Sequence, residues 1–148
     1  TLDTDGQLTR QIIGCCFRAH RALGPGFPEK VYQAALVECL ADSSLTFERE
    51  QRFVVHFEET PVGEFFADLV VERRVILEVK AIAGPMPRVF AAQVLAYLKA
   101  SQLQVGLLIN FGNVSCEVRR LSLSAKSSFR NLRNQSSNLR KDAHQPVA

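Results

Sequence analysis

The spacing of apolar positions changes twice along the chain. Over residues 8–23 they recur at helical spacing, with Ile12, Ile13, Cys16, Phe17, His20 and Leu23 on one face. Thr9 is the expected N-cap, and Gly24-Pro25-Gly26 ends the helix sharply. Pro28 opens a second helix, because its missing N–H would have no partner in a first turn. That helix carries Val31, Tyr32, Ala35, Leu36, Cys39 and Leu40 and ends near Asp42-Ser43-Ser44. The period then falls to two. Residues 45–49 and 52–57 read as strands, with Phe53, Val55 and Phe57 alternating against Val54 and His56. A turn over residues 58–63, a strand over 64–71, a tight reversal at Glu72-Arg73-Arg74 and a strand over 75–82 follow. Gly84-Pro85-Met86-Pro87 breaks the sheet and starts a helix over 88–100. Residues 105–111 are almost continuously apolar, as a strand buried on both faces should be, and 116–123 form a half-exposed last strand.

The expected order is therefore two helices, three or four strands, a helix and two strands, an α/β domain over residues 8–123. Past Leu123 the periodicity fails. Residues 124–148 are rich in Ser, Asn, Gln and Arg and read as a flexible basic tail. Phe129, Leu132 and Leu139 offer the alternative of a weak amphipathic helix.

Composition adds boundaries. With 148 residues, 47% apolar and 22% charged, the chain is an ordinary globular sequence with room for one core. It has no apolar run of membrane-spanning length. The polar, acidic opening Thr1-Leu2-Asp3-Thr4-Asp5 lacks a signal peptide's pattern, so the expected compartment is the cytoplasm. The four cysteines include no C-x-x-C pair and the three histidines are scattered, which favours reduced structural thiols over a zinc site. The net charge of +3 is unevenly spread. From Ser122 onward five bases face one acid, a net +4, which leaves residues 1–121 at −1. Overall attraction to nucleic acid is thus concentrated in the tail.

The chemistry is concentrated in Ile76-Leu77-Glu78-Val79-Lys80-Ala81-Ile82. Two charges interrupt an apolar strand, and alternation puts Glu78 and Lys80 on one face, roughly 6–7 Å apart. Asp68 sits in similar apolar company on the preceding strand, and the short reversal should bring it beside Glu78. Two carboxylates converging in an apolar setting repel each other and cost on the order of several kcal/mol to desolvate. A divalent cation relieves that cost, and hard oxygen ligands suit Mg²⁺, with Mn²⁺ as substitute. Lys80 beside them can orient a water or offset charge building at phosphorus. The plainer alternative is a half-exposed Glu78/Lys80 ion pair, with Asp68 capping a turn.

Two further features bear on that choice. Glu29 lies in the first turn of the second helix with Tyr32 a turn later, a place the helix dipole alone would favour. Gln93 and Tyr97 stand at i and i+4 on the later helix, either facing the site or forming a polar edge stripe.

The string Leu23-Gly24-Pro25-Gly26…Glu29…Tyr32, then Ala67-Asp68-Leu69, Glu78-Val79-Lys80, Gln93…Tyr97-Leu98-Lys99-Ala100 and Val105-Gly106-Leu107-Leu108-Ile109-Asn110-Phe111-Gly112 resembles the GxxExxY proteins. These are grouped with the PD-(D/E)XK nucleases. The likeness spans about residues 8–123. It implies a restriction-endonuclease-like fold, a mixed central sheet flanked by helices. Carried over residue by residue, it makes Asp68 and Glu78 metal-binding carboxylates, the Val79 carbonyl a further ligand and Lys80 the catalytic lysine. Glu29 would be an added acidic residue from an early helix, and Gln93 and Tyr97 would line the site. Ala67 stands where the superfamily's motif has Pro, and Pro28 follows Phe27 where a second large aliphatic is usual.

The implied activity is Mg²⁺-dependent hydrolysis of phosphodiesters in nucleic acid, DNA ahead of RNA, with a homodimer or protein partner able to supply missing positive charge. The alternative is a nuclease fold serving as a binding or accessory module without significant turnover. Phosphate loops, H-E-x-x-H and G-x-S-x-G are absent from the sequence, and no serine has a histidine suggested by spacing.

Overall fold

A computed structural model describes residues 4–123, and the tail over 124–148 lies outside the described residues. The element order is α1 (Thr4–Leu23), α2 (Glu29–Asp42), β1 (Phe47–Phe57), β2 (Thr60–Val71), β3 (Val75–Lys80), α3 (Arg88–Ser101), β4 (Val105–Asn110) and β5 (Glu117–Ser122). The five strands form one mixed sheet in the order β1-β2-β3-β4-β5. Only β3 and β4 run parallel, as they must when a helical crossover, α3, joins them. The two-helix start, the three hairpin-linked strands and the β–α–β close match the order read from periodicity.

Helices α1 and α2 cover one face of the sheet. Leu8, Ile12, Cys15, Cys16 and Ala19 meet Tyr32, Leu36, Cys39 and Leu40 over Leu69, Val71, Leu77, Val79, Leu107 and Ile109. Helix α3 covers the other face, with Val94 and Leu98 over Ala67, Val70, Ile76 and Leu108. Strand β4 is buried at all six positions, which accounts for its unbroken apolar run. All four cysteines are free, with Cys15, Cys16 and Cys39 buried and Cys116 half-buried. No helix among the described residues is long and apolar enough to cross a membrane.

Several expected boundaries move. Helix α1 starts at Thr4, so Thr9 is no cap: it is buried inside the helix and its Oγ1 donates to the Gly6 carbonyl at 3.1 Å. The early start is tied down by Asp5, which pairs with Arg74 in the β2–β3 turn at 2.6 Å, a partner 69 positions away that periodicity cannot see. The buried stripe of α1 is also rotated from expectation. Cys15 and Ala19 are inside, whereas Phe17 is 46% exposed.

The two short strands expected before residue 58 are one, β1, bent at Glu50, whose φ is +49°. This bend decides where the functional residues point. Up to Arg49 and from Leu69 on, β1 and β2 turn Phe47, Leu69 and Val71 toward α1 and α2. Beyond it, the same parity (Phe53 and Ala67) faces α3. Glu50 and Asp68 stand between the flanking pairs Arg49/Leu69 and Gln51/Ala67, so both strands exchange faces at the same step. A left-handed non-glycine residue costs about 1–2 kcal/mol, and here that strain accompanies the reversal at Asp68.

Candidate active site

The β2–β3 ladder runs from Val71/Val75 through Leu69/Leu77 and stops there. The next two residues, Asp68 and Glu78, replace ladder bonds with side-chain bonds. The Val79 N–H donates to Asp68 Oδ2 at 2.8 Å, and the Asp68 N–H donates to Glu78 Oε1 at 3.2 Å. At the face exchange the Asp68 carboxylate thus reaches the backbone of the neighbouring strand β3.

Glu78 is only 4% exposed. Burial first, then the charge on Asp68, pushes its carboxyl up to about 8, while the Asp68 N–H and the Lys80 charge pull the other way. The Asp68 carboxyl is also raised by burial, less the help of the Val79 N–H and of Lys80. The pair therefore keeps a proton near neutrality. Such a site has a standing demand for positive charge, and its oxygen donors suit a hard divalent ion.

Strand alternation places Glu78 and Lys80 toward α3, as expected, but they are not joined as a pair. The ion pairs among the described residues are Arg18/Asp42, Arg52/Glu64, Arg74/Asp5 and Arg119/Glu117. Lys80 Nζ instead lies 4.5 Å from the centre of the Phe90 ring and 3.5 Å from Gln93 Oε1. Gln93 Nε2 donates to the Tyr97 hydroxyl at 3.0 Å. Tyr97 is stacked on Phe65, centroids 4.0 Å apart, and Phe65 on Phe53 at 5.1 Å. Burial, then Glu78 and Asp68, raises the Tyr97 phenol, which keeps it protonated. Gln93 and Tyr97 are therefore no edge stripe: from one helical face, Gln93 reaches the lysine and Tyr97 reaches Gln93. Asp68 caps no turn, either.

Glu29 is placed differently. It opens α2 as an exposed residue, in the layer opposite α3. Its helix does reach the same end of the sheet, since Tyr32 stacks on Phe111 at 4.6 Å and the Phe111 N–H donates to the Lys80 carbonyl at 2.9 Å. Yet among the described residues no three His, Cys, Asp or Glu side chains converge, so Glu29 does not join Asp68 and Glu78 in this arrangement. Tyr32 is structural: its hydroxyl donates to the Gly24 carbonyl at 2.5 Å and accepts the Phe27 N–H at 3.2 Å, closing the loop before α2. Val79 follows Glu78 in β3, with its side chain in the α1/α2 core and its N–H on Asp68.

Sequence reasoning missed Phe90 and Phe65. Phe90 lies at i−3 from Gln93 and i−7 from Tyr97, so the helical face that includes Gln93 and Tyr97 already held it. Phe65 had no such signal, because the reversal at Asp68 hides which way it points. Burial raises the Cys16 thiol well above its usual range and the Cys116 thiol to about 11, which disfavours either as a nucleophile.

The family model of the PD-(D/E)XK nuclease superfamily matches residues 6–121 of the chain. Among curated proteins none matches. Among solved structures, the crystal structure of SSO0001 aligns at 12% identity with a TM-score of 0.45, covering 94% of this chain and 87% of that one.

Proposed function

The chain belongs to the PD-(D/E)XK nuclease superfamily, and on that premise we propose that it hydrolyses phosphodiester bonds in nucleic acid, DNA ahead of RNA. The observation that carries this reading is the convergence of Asp68 and Glu78 on the face where Lys80 meets Gln93. Within the superfamily, the string of motifs between Leu23 and Gly112 resembles that of the GxxExxY proteins, which supports reading the chain as one of them.

Asp68 and Glu78 are the residues that would hold Mg²⁺ or Mn²⁺, with the Val79 carbonyl as a further oxygen donor. Glu29 would join them only if α2 closes toward the site when metal or substrate binds. The ion, when bound, supplies Lewis acidity toward water and phosphate. Lys80 is the catalytic residue that orients the attacking water and offsets charge at phosphorus. Gln93 sets the position of its ammonium. Tyr97 accepts from Gln93 and keeps its own proton for the phosphate or the water.

The test is Mg²⁺- or Mn²⁺-dependent cleavage of single- and double-stranded DNA and RNA by the wild type and by Lys80→Ala. Loss of cleavage on the order of 10²- to 10³-fold in a folded Lys80→Ala that still binds Mn²⁺ supports the reading. A wild type that binds Mn²⁺ and nucleic acid and never cleaves favours the second reading, an accessory module. The net −1 of residues 1–121 speaks for that alternative, since a strong nucleic-acid binder ordinarily shows a basic face. A homodimer, a protein partner or the basic tail would otherwise supply the charge.

A further inference from the structure

The β3–β4 ladder ends at the pair Lys80/Asn110. Beyond it, β3 leaves the sheet through residues 81–87, a segment containing two prolines and Gly84 at φ +87°. Such a segment has no ladder of its own, yet it connects Lys80 to the helix bearing Gln93. Two asparagines hold it. Asn110, fully buried, accepts the Ile82 N–H at 3.0 Å and donates to the Ile82 carbonyl at 3.1 Å. Its Oδ1 also accepts the Gly112 N–H at 3.0 Å. Three residues on, Asn113 accepts the Gly84 N–H at 2.8 Å and donates to the Gly84 carbonyl at 2.9 Å. Each primary amide presents one donor and one acceptor to a single residue's backbone, the same pairing that a neighbouring strand would provide.

The clamp is anchored from the opposite layer. His20 of α1 meets the Asn113 carbonyl through Nε2 at 2.8 Å, and its ring stacks on Phe111. Gly112 lies so close to Ile82 that a Cβ there would sit 2.1 Å from the Ile82 carbonyl oxygen. The segment after Lys80 is therefore held at residues 82 and 84 and pressed by Gly112.

We propose that Asn110 and Asn113 are positioning residues that fix residues 82–84 and thereby hold Lys80 against Phe90 and Gln93. As a statement about catalysis this rests on the nuclease reading above; as a statement about Lys80 it stands alone. Lys80 is the last ladder position of β3, so the backbone on its C-terminal side is set by the segment that follows. Lys80 has a long contact to Gln93 and the face of the Phe90 ring, so its placement also depends on the backbone beneath it.

The test uses the full chain with Asn113→Ala and Asn113→Asp, whose contacts lie at the exposed end of the clamp. Asn110→Ala is added, with circular dichroism to verify folding. The first readout is the chemical shift of the Lys80 side-chain protons, which the Phe90 ring current displaces while the ammonium lies over it. In folded Asn113→Ala the displacement should shrink toward the value of a free lysine, and Asn113→Asp, which keeps the acceptor, should recover part of it. The second readout is single-turnover cleavage. The rate should fall between about tenfold and 100-fold while KM and the Mn²⁺ affinity stay as in the wild type. An undisplaced Lys80 signal in folded Asn113→Ala overturns the clamp. An inactive wild type overturns the nuclease reading instead, and the Lys80 signal then decides the clamp by itself.

Discussion

Asp68 and Glu78 face one another across β2 and β3, and each carboxylate is held by backbone of the opposite strand: Asp68 by the Val79 N–H, Glu78 by the N–H of Asp68 itself. The arrangement is reciprocal, and it holds the two carboxylates close together in a buried place. Burial raises both carboxyls, and the charge on Asp68 raises Glu78 further, which favours a proton on the pair.

That proton makes stability depend on pH in a definite direction. The Glu78 carboxyl rises from 4.5 to about 8 on folding. Between these values the native state holds a proton that the unfolded chain has lost, so stability falls as pH rises. The contribution is complete below about 4.5, drains by up to about 1.4 kcal/mol per pH unit and is gone above about 8. Asp68, also raised, acts in the same sense. Urea unfolding with chelator at pH 5, 6.5 and 8, compared with Glu78→Gln, isolates the contribution of the Asp68/Glu78 pair, because groups away from it cancel in the difference. A wild-type-minus-Gln difference that does not change with pH sinks it.

Metal binding should then expel the proton. Mn²⁺ affinity is expected to tighten by up to about tenfold per pH unit toward pH 8 and to level off beyond it. Calorimetry in two buffers of different ionisation heat counts the protons released: close to one per ion at pH 6.5 and few above pH 8.5. Release that is the same at both pH values would mean that the shared proton is not the one displaced.

How much of this was legible in the sequence depends on how local each cause is. Alternation alone put Glu78 and Lys80 on one face, and the short reversal at residues 72–74 brought Asp68 opposite Glu78, because hairpin register follows from loop length. The i, i+4 spacing that puts Gln93 and Tyr97 on one helical face was equally local. The bend at Glu50 was not legible. Nothing in Arg49-Glu50-Gln51 announces a left-handed residue, and the exchange of faces there undoes simple alternation for Phe53 and Phe65. The start of α1 was set by a distant arginine. Glu29 shows the limit of motif reading: its place in the string is plain, but only the fold shows it exposed in the layer opposite α3.

Phe90 offers a check on how Lys80 is held. Its ring, 4.5 Å beneath the ammonium, contributes a cation–π attraction of about 0.5–1 kcal/mol at a half-exposed site. Phe90→Leu keeps an apolar side chain on α3 and should cost less than about 1.5 kcal/mol of stability. Cleavage should slow by about two- to fivefold, the rate equivalent of the lost attraction. Phe90→Tyr keeps the ring and should restore most of the rate. If Phe90→Leu and wild type cleave equally fast, the ring is packing and nothing more.

Two glycines predict opposite outcomes from the same substitution. Gly14 lies inside α1 with no atom near the position a Cβ would take, so Gly14→Ala should stabilise by about 0.5–1 kcal/mol through lost unfolded-state freedom. Gly112 follows Asn110-Phe111, and a Cβ there would meet Ile82 O at 2.1 Å and Ile82 N and C at 2.4 Å. Those atoms are backbone and cannot rotate aside. Gly112→Ala must therefore displace residue 82, breaking the Asn110 bonds to it, and should cost about 1–3 kcal/mol. Because residue 82 is two positions from Lys80, the variant should lose cleavage beyond what its lost stability explains. Thermal unfolding of both variants, with cleavage assayed well below either midpoint, separates the two effects. A Gly112→Ala as stable and as active as Gly14→Ala would show that the strand end after Lys80 is loose, and that its close approach to Gly112 holds nothing in place.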